Sequence, residues 1–213
     1  MSQDLTPPRP KFGWVPWSLL ALSFVPAAAG LVRLITLARG ATLTPENARF
    51  IEAPIPVILH ILGVLPFTVL GAFQFSAPFR ARNPRWHRLV GRLLVPCGLV
   101  AAFSGLWMTV YYPLPLKLQG PLLFDVRVVV AACMSLFLLL GLRAILQRKF
   151  SQHSAWMIRA YALGQGAGTQ VITLLPVALI VGEPLYFERD VLMVLAWAIN
   201  AALAEWIILR NKR

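Results

Sequence analysis

Six long apolar runs, separated by short stretches that hold most of the charge, set the plan of this chain. The first extends from about Trp14 to Ala38, the second from Pro54 to Phe75 and the third from Pro84 to Tyr112. The fourth covers about Leu122 to Leu146, the fifth follows Ser151 as far as Val181, and the sixth runs from about Asp190 to Leu209. A helix needs roughly 20 apolar residues to cross the hydrocarbon core of a bilayer. Each run meets that length. The pattern predicts an all-α fold: a polytopic membrane bundle of about six transmembrane helices. Pro54 and Pro56 suit a first helical turn, where the missing N–H has no intrahelical partner to lose. Asn83 and Ser151 are placed to cap the third and fifth helices. Pro113-Leu114-Pro115 breaks the third run, and Gly182-Glu183-Pro184 is a turn.

Composition agrees with the pattern. The chain is 58% hydrophobic and 13% charged, about half the charge density of a soluble domain. Six spans leave only short loops and no separate soluble domain. The expected organisation is a tail over residues 1–13, a transmembrane domain over 14–209 and a second tail over 210–213. The first run also resembles a signal peptide around Ala27-Ala28-Ala29, but it continues well past them, which favours a retained helix. Cys97 and Cys133 lie inside apolar runs, outside any CxxC or CxxCH motif. They read as packing residues rather than as thiol redox or covalent haem sites.

The net charge of +12 is distributed by side. The N-terminal tail, residues 76–92, residues 143–159 and the C-terminal tail hold 14 of the 20 basic residues, among them Arg9, Lys11, Lys212 and Arg213. The alternate segments hold six, Arg33, Arg39, Arg49, Lys117, Arg127 and Arg189, with six of the eight acids. The positive-inside rule places both termini in the cytoplasm. The charge is a topology signal, and nucleic acid is not an expected partner; the bilayer is.

The chain has three histidines, each near the start of an apolar run. His87 and His153 begin helices on the cytoplasmic side and fall at one depth. His60 enters from the opposite side, roughly 8 Å deep at 1.5 Å per residue. Each heads a stripe of small residues at helical spacing: His87, Gly91, Gly98, Ala102, Gly105; His153, Met157, Ala160, Gly164, Gly168; and His60, Gly63, Phe67, Gly71, Gln74. A bare stripe admits a flat group or a neighbouring helix, and small-xxx-small faces are common in membranes for the second reason. Gln74, Arg88, Arg92, Arg159 and Glu205 share the level of His87 and His153. Glu205 is an intramembrane acid, either a functional group or the partner of one of those arginines. Asp125 and Arg127 begin the fourth helix at the level of His60.

Three blocks carry a resemblance. Leu59-His60-Ile61-Leu62-Gly63 is followed by Gly71-Ala72-Phe73-Gln74-Phe75 and Arg80. Pro84-Arg85-Trp86-His87-Arg88-Leu89-Val90-Gly91-Arg92 contains His-Arg-x-x-Gly-Arg. His153-Ser154-Ala155-Trp156-Met157-Ile158-Arg159 contains His-x-x-Trp-Met-x-Arg, and Trp197, Asn200, Ala204 and Glu205 close the pattern. Over residues 55–209 the chain resembles a bacterial membrane family catalogued as domain of unknown function 2306. That resemblance implies a multi-pass protein of the bacterial inner membrane and no particular activity. Histidines on several helices of a small bundle are also similar to b-type membrane cytochromes such as the cytochrome b561 group. A two-haem core of that kind uses four histidines; this chain has three.

Three functional readings stay open. In the first, haem b is held by His87 and His153, with Arg88, Arg92 and Arg159 on its propionates and His60 serving a second redox or quinone site; a redox protein would then be a partner. In the second, His87, His153 and Glu205 bind a divalent metal or relay protons in an enzyme or transporter. In the third, the chain is structural, and its arginines bind anionic headgroups. No Ser-His-Asp arrangement, phosphate-cradling loop or nucleotide fingerprint is present, so enzymatic activity has no motif to rest on.

Overall fold

A computed structural model describes residues 13–211. The two charged tails, with Arg9, Lys11, Lys212 and Arg213, lie outside the described residues apart from Gly13, Arg210 and Asn211. The described chain is helical, in the order α1 Val15–Ala38, α2 Ala48–Glu52, α3 Pro54–Gln74, α4 Ala77–Arg82, α5 Pro84–Tyr111, α6 Pro121–Leu146, α7 Phe150–Gly164, α8 Gly166–Ile180 and α9 Tyr186–Arg210. Five helices, α1, α3, α5, α6 and α9, are long and apolar enough to cross a membrane, with window mean hydropathies of 1.9 to 2.4. The sixth span is α7 and α8 together, bent by 41°. Prolines open α1, α3, α4, α5 and α6 within their first two positions, as expected where a missing N–H costs nothing.

The boundaries differ from the expectation at three points. The fifth run begins at Phe150 behind Lys149, so Ser151 is inside the helix and does not cap it. Asn83 precedes α5, but its side chain donates to the Phe79 carbonyl of α4 instead of capping α5. The sixth run starts at Tyr186, four residues early: Glu188 and Arg189 are polar but fit a first turn at the edge of the bilayer.

The spans alternate in direction. One end of the bundle, here called the terminal end, carries the start of α1 and the end of α9. The far end carries the starts of α3, α6 and α9. Helix α3 packs most extensively on α5, α6 on α5 and α7, and α8 on α9, with α1 set against α3 and α8. Phe67, Leu94, Met134, Leu138, Ala160 and Tyr161 form the centre of the core. Contact between α3 and α5 is close because Gly63 has no side chain. A Cβ there would lie 2.7 Å from the Cys97 carbonyl oxygen and 2.8 Å from the Ala101 nitrogen.

The bend after α7 frees backbone carbonyls inside the bilayer, where water is not available to satisfy them. Helix α9 supplies the donors. Trp197 Nε1 donates to the Leu163 carbonyl at 3.2 Å, and Asn200 Nδ2 donates to the Ala162 carbonyl at 3.0 Å. Gly166 is required where Trp197 crosses, since a Cβ there would overlap the indole nitrogen. Gln165, at the bend, donates to the Tyr161 hydroxyl and accepts from Ser23 of α1, while Tyr161 donates to the Thr68 carbonyl of α3. The polar residues of the break therefore tie four elements together.

At the far end, Asp190 is 1% exposed. Its carboxylate accepts from the Gly120 and Leu123 amides at 3.0 and 3.1 Å and so caps α6 from a neighbouring helix. Two outcomes follow. Gly63→Ala should destabilise the protein by about 1–3 kcal/mol, the cost of overpacking, while Gly13→Ala, with nothing within 4 Å, should be neutral. Asp190→Ala should cost about 2–3 kcal/mol through two stranded amides. Thermal unfolding of the three variants in one detergent, followed by tryptophan fluorescence, measures each difference.

Candidate functional site

The far end holds a half-open cavity of about 410 Å³, within the size range of small-ligand pockets. His60, Val64 and Phe67 of α3 line it, with Ala101, Ala102 and Gly105 of α5 and Arg127, Val130 and Met134 of α6. Gly164, Ala167 and Gln170, from the two sides of the bend, and Trp197 extend the lining into the bilayer. Arg49 of α2 and Arg189 of α9 stand at its far-end side.

His60 is held from α5. Its Nδ1 lies 2.9 Å from the Ala101 carbonyl oxygen and 3.3 Å from the Ser104 hydroxyl. A carbonyl only accepts, so Nδ1 carries the proton, and in the neutral form of the ring the lone pair is on Nε2. Gly105 makes room for the ring: a Cβ there would stand 3.2 Å from His60 Cε1. Arg127 donates to the Gln119 side-chain oxygen. It faces the charges of Arg189 and Asp190. Asp125, expected near His60, is exposed and does not line the cavity; the acid that reaches Arg127 is Asp190.

Arg49 and Arg33 both lie against the Phe50 ring, at 4.5 and 4.3 Å from the ring centroid. Burial first, and the Arg33 charge second, draw the Arg49 guanidinium below the ordinary arginine value. Tyr112 donates to the Ala53 carbonyl at 2.6 Å, and burial raises its phenol above the usual tyrosine value. Neither Arg49 Nε nor Arg189 Nε has a hydrogen-bond partner among the described residues, although both atoms are buried.

The terminal end brings His87 and His153 within each other's electrostatic reach. His153 Nδ1 lies 2.9 Å from the Gly141 carbonyl oxygen, which again requires the proton on Nδ1 and turns Nε2 away from that bond. His87 Nδ1 and Gln74 Nε2 are buried without partners among the described residues. Gln74 and Gly91 face each other, with the amide oxygen 4.0 Å from where a Gly91 Cβ would stand.

Several expected site residues are placed otherwise. Glu205 pairs with Arg159 through two bonds of 2.5 and 2.7 Å, so it does not close on the histidines and Arg159 is engaged. No group of three or more His, Cys, Asp or Glu side chains is arranged to hold a metal among the described residues. His87, His153 and Glu205 are therefore not gathered into a triad in this structure. Arg88 and Arg92 are exposed, one residue round the helix from the His87 and Gly91 face. The small-residue stripes are filled by protein. Gly98 meets Leu138 and Phe67, Gly164 meets Phe67, and Gly71 meets the Tyr161 ring. Gly168 lies beyond the bend and packs on Leu22 of α1, so it is not on the face of His153.

Arg49, Arg189 and Gln170 were not singled out from sequence. A signal for the first two was present: they are among the six basic residues on the side that the charge rule leaves poor in them. Three of those six, Arg49, Arg127 and Arg189, line the far-end cavity, and a fourth, Arg33, lies beside Arg49.

No curated protein and no solved structure matches this chain. A family described as predicted membrane protein (DUF2306) matches residues 57–208, from α3 to the last turn of α9. The match takes in all three histidine blocks, both ends of the bundle and the bent span, and the chain belongs to that family of multi-pass membrane proteins.

Proposed function

We propose that this protein is a membrane carrier or binding protein that holds a small ligand in the far-end cavity, with His60 Nε2 and the arginines as its polar contacts. The observation that carries the reading is a cavity that runs from the far end to the break between α7 and α8. Discontinuous helices that meet a cavity in mid-membrane are how transporters place polar groups around a substrate. The charge bias puts the far end outside the bacterial inner membrane, so the ligand enters from that side. In a chain with Cys97 and Cys133 replaced by alanine, a small thiol reagent should label Val64→Cys and Ala131→Cys and leave the core position Leu138→Cys unlabelled. Ala167→Phe should slow the labelling of both cavity positions. Equal protection of all three cysteines would contradict an open cavity.

One observation favours a second reading at the terminal end, haem b between His87 and His153. The Gly141 carbonyl orients His153 as second-shell acceptors orient axial ligands, and His87 Nδ1 is buried without a protein partner. Haem would supply a one-electron couple with a potential set by those ligands. The far-end cavity would then take a quinone or another electron carrier. With Arg159 held by Glu205, Arg88 and Arg92 remain for the propionates. Protein from haem-supplied cells should show a Soret band that shifts on dithionite reduction. The band should be lost in His87→Ala and His153→Ala and kept in His60→Ala. A featureless spectrum ends this reading.

A further inference from the structure

The charge around the far-end cavity is unbalanced. Arg49, Arg127 and Arg189 line it, and no Asp or Glu does among the described residues. Asp190 reaches Arg127, but both of its carboxylate oxygens accept amides at the start of α6. Arg49 Nε and Arg189 Nε are buried with no acceptor among the described residues. A buried donor without a partner costs about 1–3 kcal/mol, and more when it is charged. An uncompensated cation near hydrocarbon costs further. Two such groups at one cavity point to an acceptor supplied from outside the chain.

The chemistry of the walls narrows what that acceptor is. Guanidinium groups present planar, paired donors that match carboxylate and phosphate oxygens. Deeper in, Val64, Phe67, Ala102, Val130 and Met134 offer no hydrogen bond. A bare inorganic anion would satisfy the mouth and leave that wall empty. A neutral apolar molecule would fill the wall and leave Arg49 Nε and Arg189 Nε without an acceptor.

We propose that the cavity takes an oxyanion-headed amphiphile, its carboxylate or phosphate on Arg49, Arg127 and Arg189 and its apolar tail along Val64, Phe67 and Met134. This rests on the reading of the cavity as a ligand site and adds the class of ligand. The head and tail chemistry is shared by a free amphiphile and by an anionic lipid of the bilayer.

The test uses the Val64→Cys reporter, with Cys97 and Cys133 replaced by alanine, in phosphatidylcholine nanodiscs. Dodecyl phosphate should slow thiol labelling about tenfold, and Arg49→Gln and Arg189→Gln should each raise the half-protecting concentration about tenfold, the loss of one charge-assisted hydrogen bond. Arg39→Gln, at an exposed position away from the cavity, should change nothing. Inorganic phosphate and dodecyltrimethylammonium should not protect at the same concentration. Protection in discs that contain phosphatidylglycerol, without added amphiphile, identifies the lipid as the source; protection by dodecyl phosphate alone identifies a free molecule. Equal protection by inorganic phosphate removes the tail from the proposal. Equal protection by dodecanol, with the arginine variants inert, overturns the anion and leaves the ligand cavity standing. If the reagent never reaches Val64→Cys, the thermal midpoint of the unmodified protein still decides. A rise with dodecyl phosphate that Arg189→Gln abolishes supports the anion site without the open entry, and no rise overturns both.

Discussion

A bilayer core offers no water to a buried polar group, so every such group needs a partner in the protein or in something the protein binds. This constraint explains the organisation of the molecule. Where the chain breaks its sixth span, the freed carbonyls are met by Trp197 and Asn200, and Gln165 joins Tyr161 to Ser23. Where α6 begins, Asp190 accepts its first amides. Against that background, the buried side-chain atoms that lack a partner among the described residues are informative. Arg49 Nε and Arg189 Nε lie at the far-end cavity, and His87 Nδ1 and Gln74 Nε2 at the terminal end. The incomplete places in the hydrogen-bond pattern are the two candidate sites.

The two ends differ in what surrounds these groups. At the far end the arginines open on space, bounded by an apolar wall that reaches the bend. At the terminal end the polar residues are more fully engaged with one another, since Arg159 takes Glu205 and Arg80 donates to the Gln74 carbonyl. His60 and His153 are each oriented by a backbone carbonyl of an adjacent helix, which holds the proton on Nδ1 and turns Nε2 away from that bond. The same local device thus prepares a histidine at either end, and the cavity distinguishes the far one.

Much of the fold was legible in the chain because its causes are local. Long apolar runs and the prolines that open them place five spans to within a few residues. The bend was not legible: residues 150–181 are one apolar run, and the break depends on Trp197 and Asn200, which are distant in sequence. The small-residue stripes were legible as faces, but what fills them was not. Gly98 and Gly164 both accommodate Phe67, a contact among three helices that periodicity does not encode. Glu205 was legible as an intramembrane acid, with Arg159 among its candidate partners, and the structure makes that pair. The cationic cavity was hardest to see, because Arg49, Arg127 and Arg189 come from three separate elements. Only their placement against the charge bias hinted at a use.

The most direct measurement of the central claim is an electron cryomicroscopy map of the protein purified in nanodiscs of its native lipid. The account predicts non-protein density in the far-end cavity, with its polar end against Arg49 and Arg189 and its remainder along Phe67 and Met134. A map in which the helices close over that space, or in which both guanidinium groups turn outward and pair with acids of the chain, would contradict it.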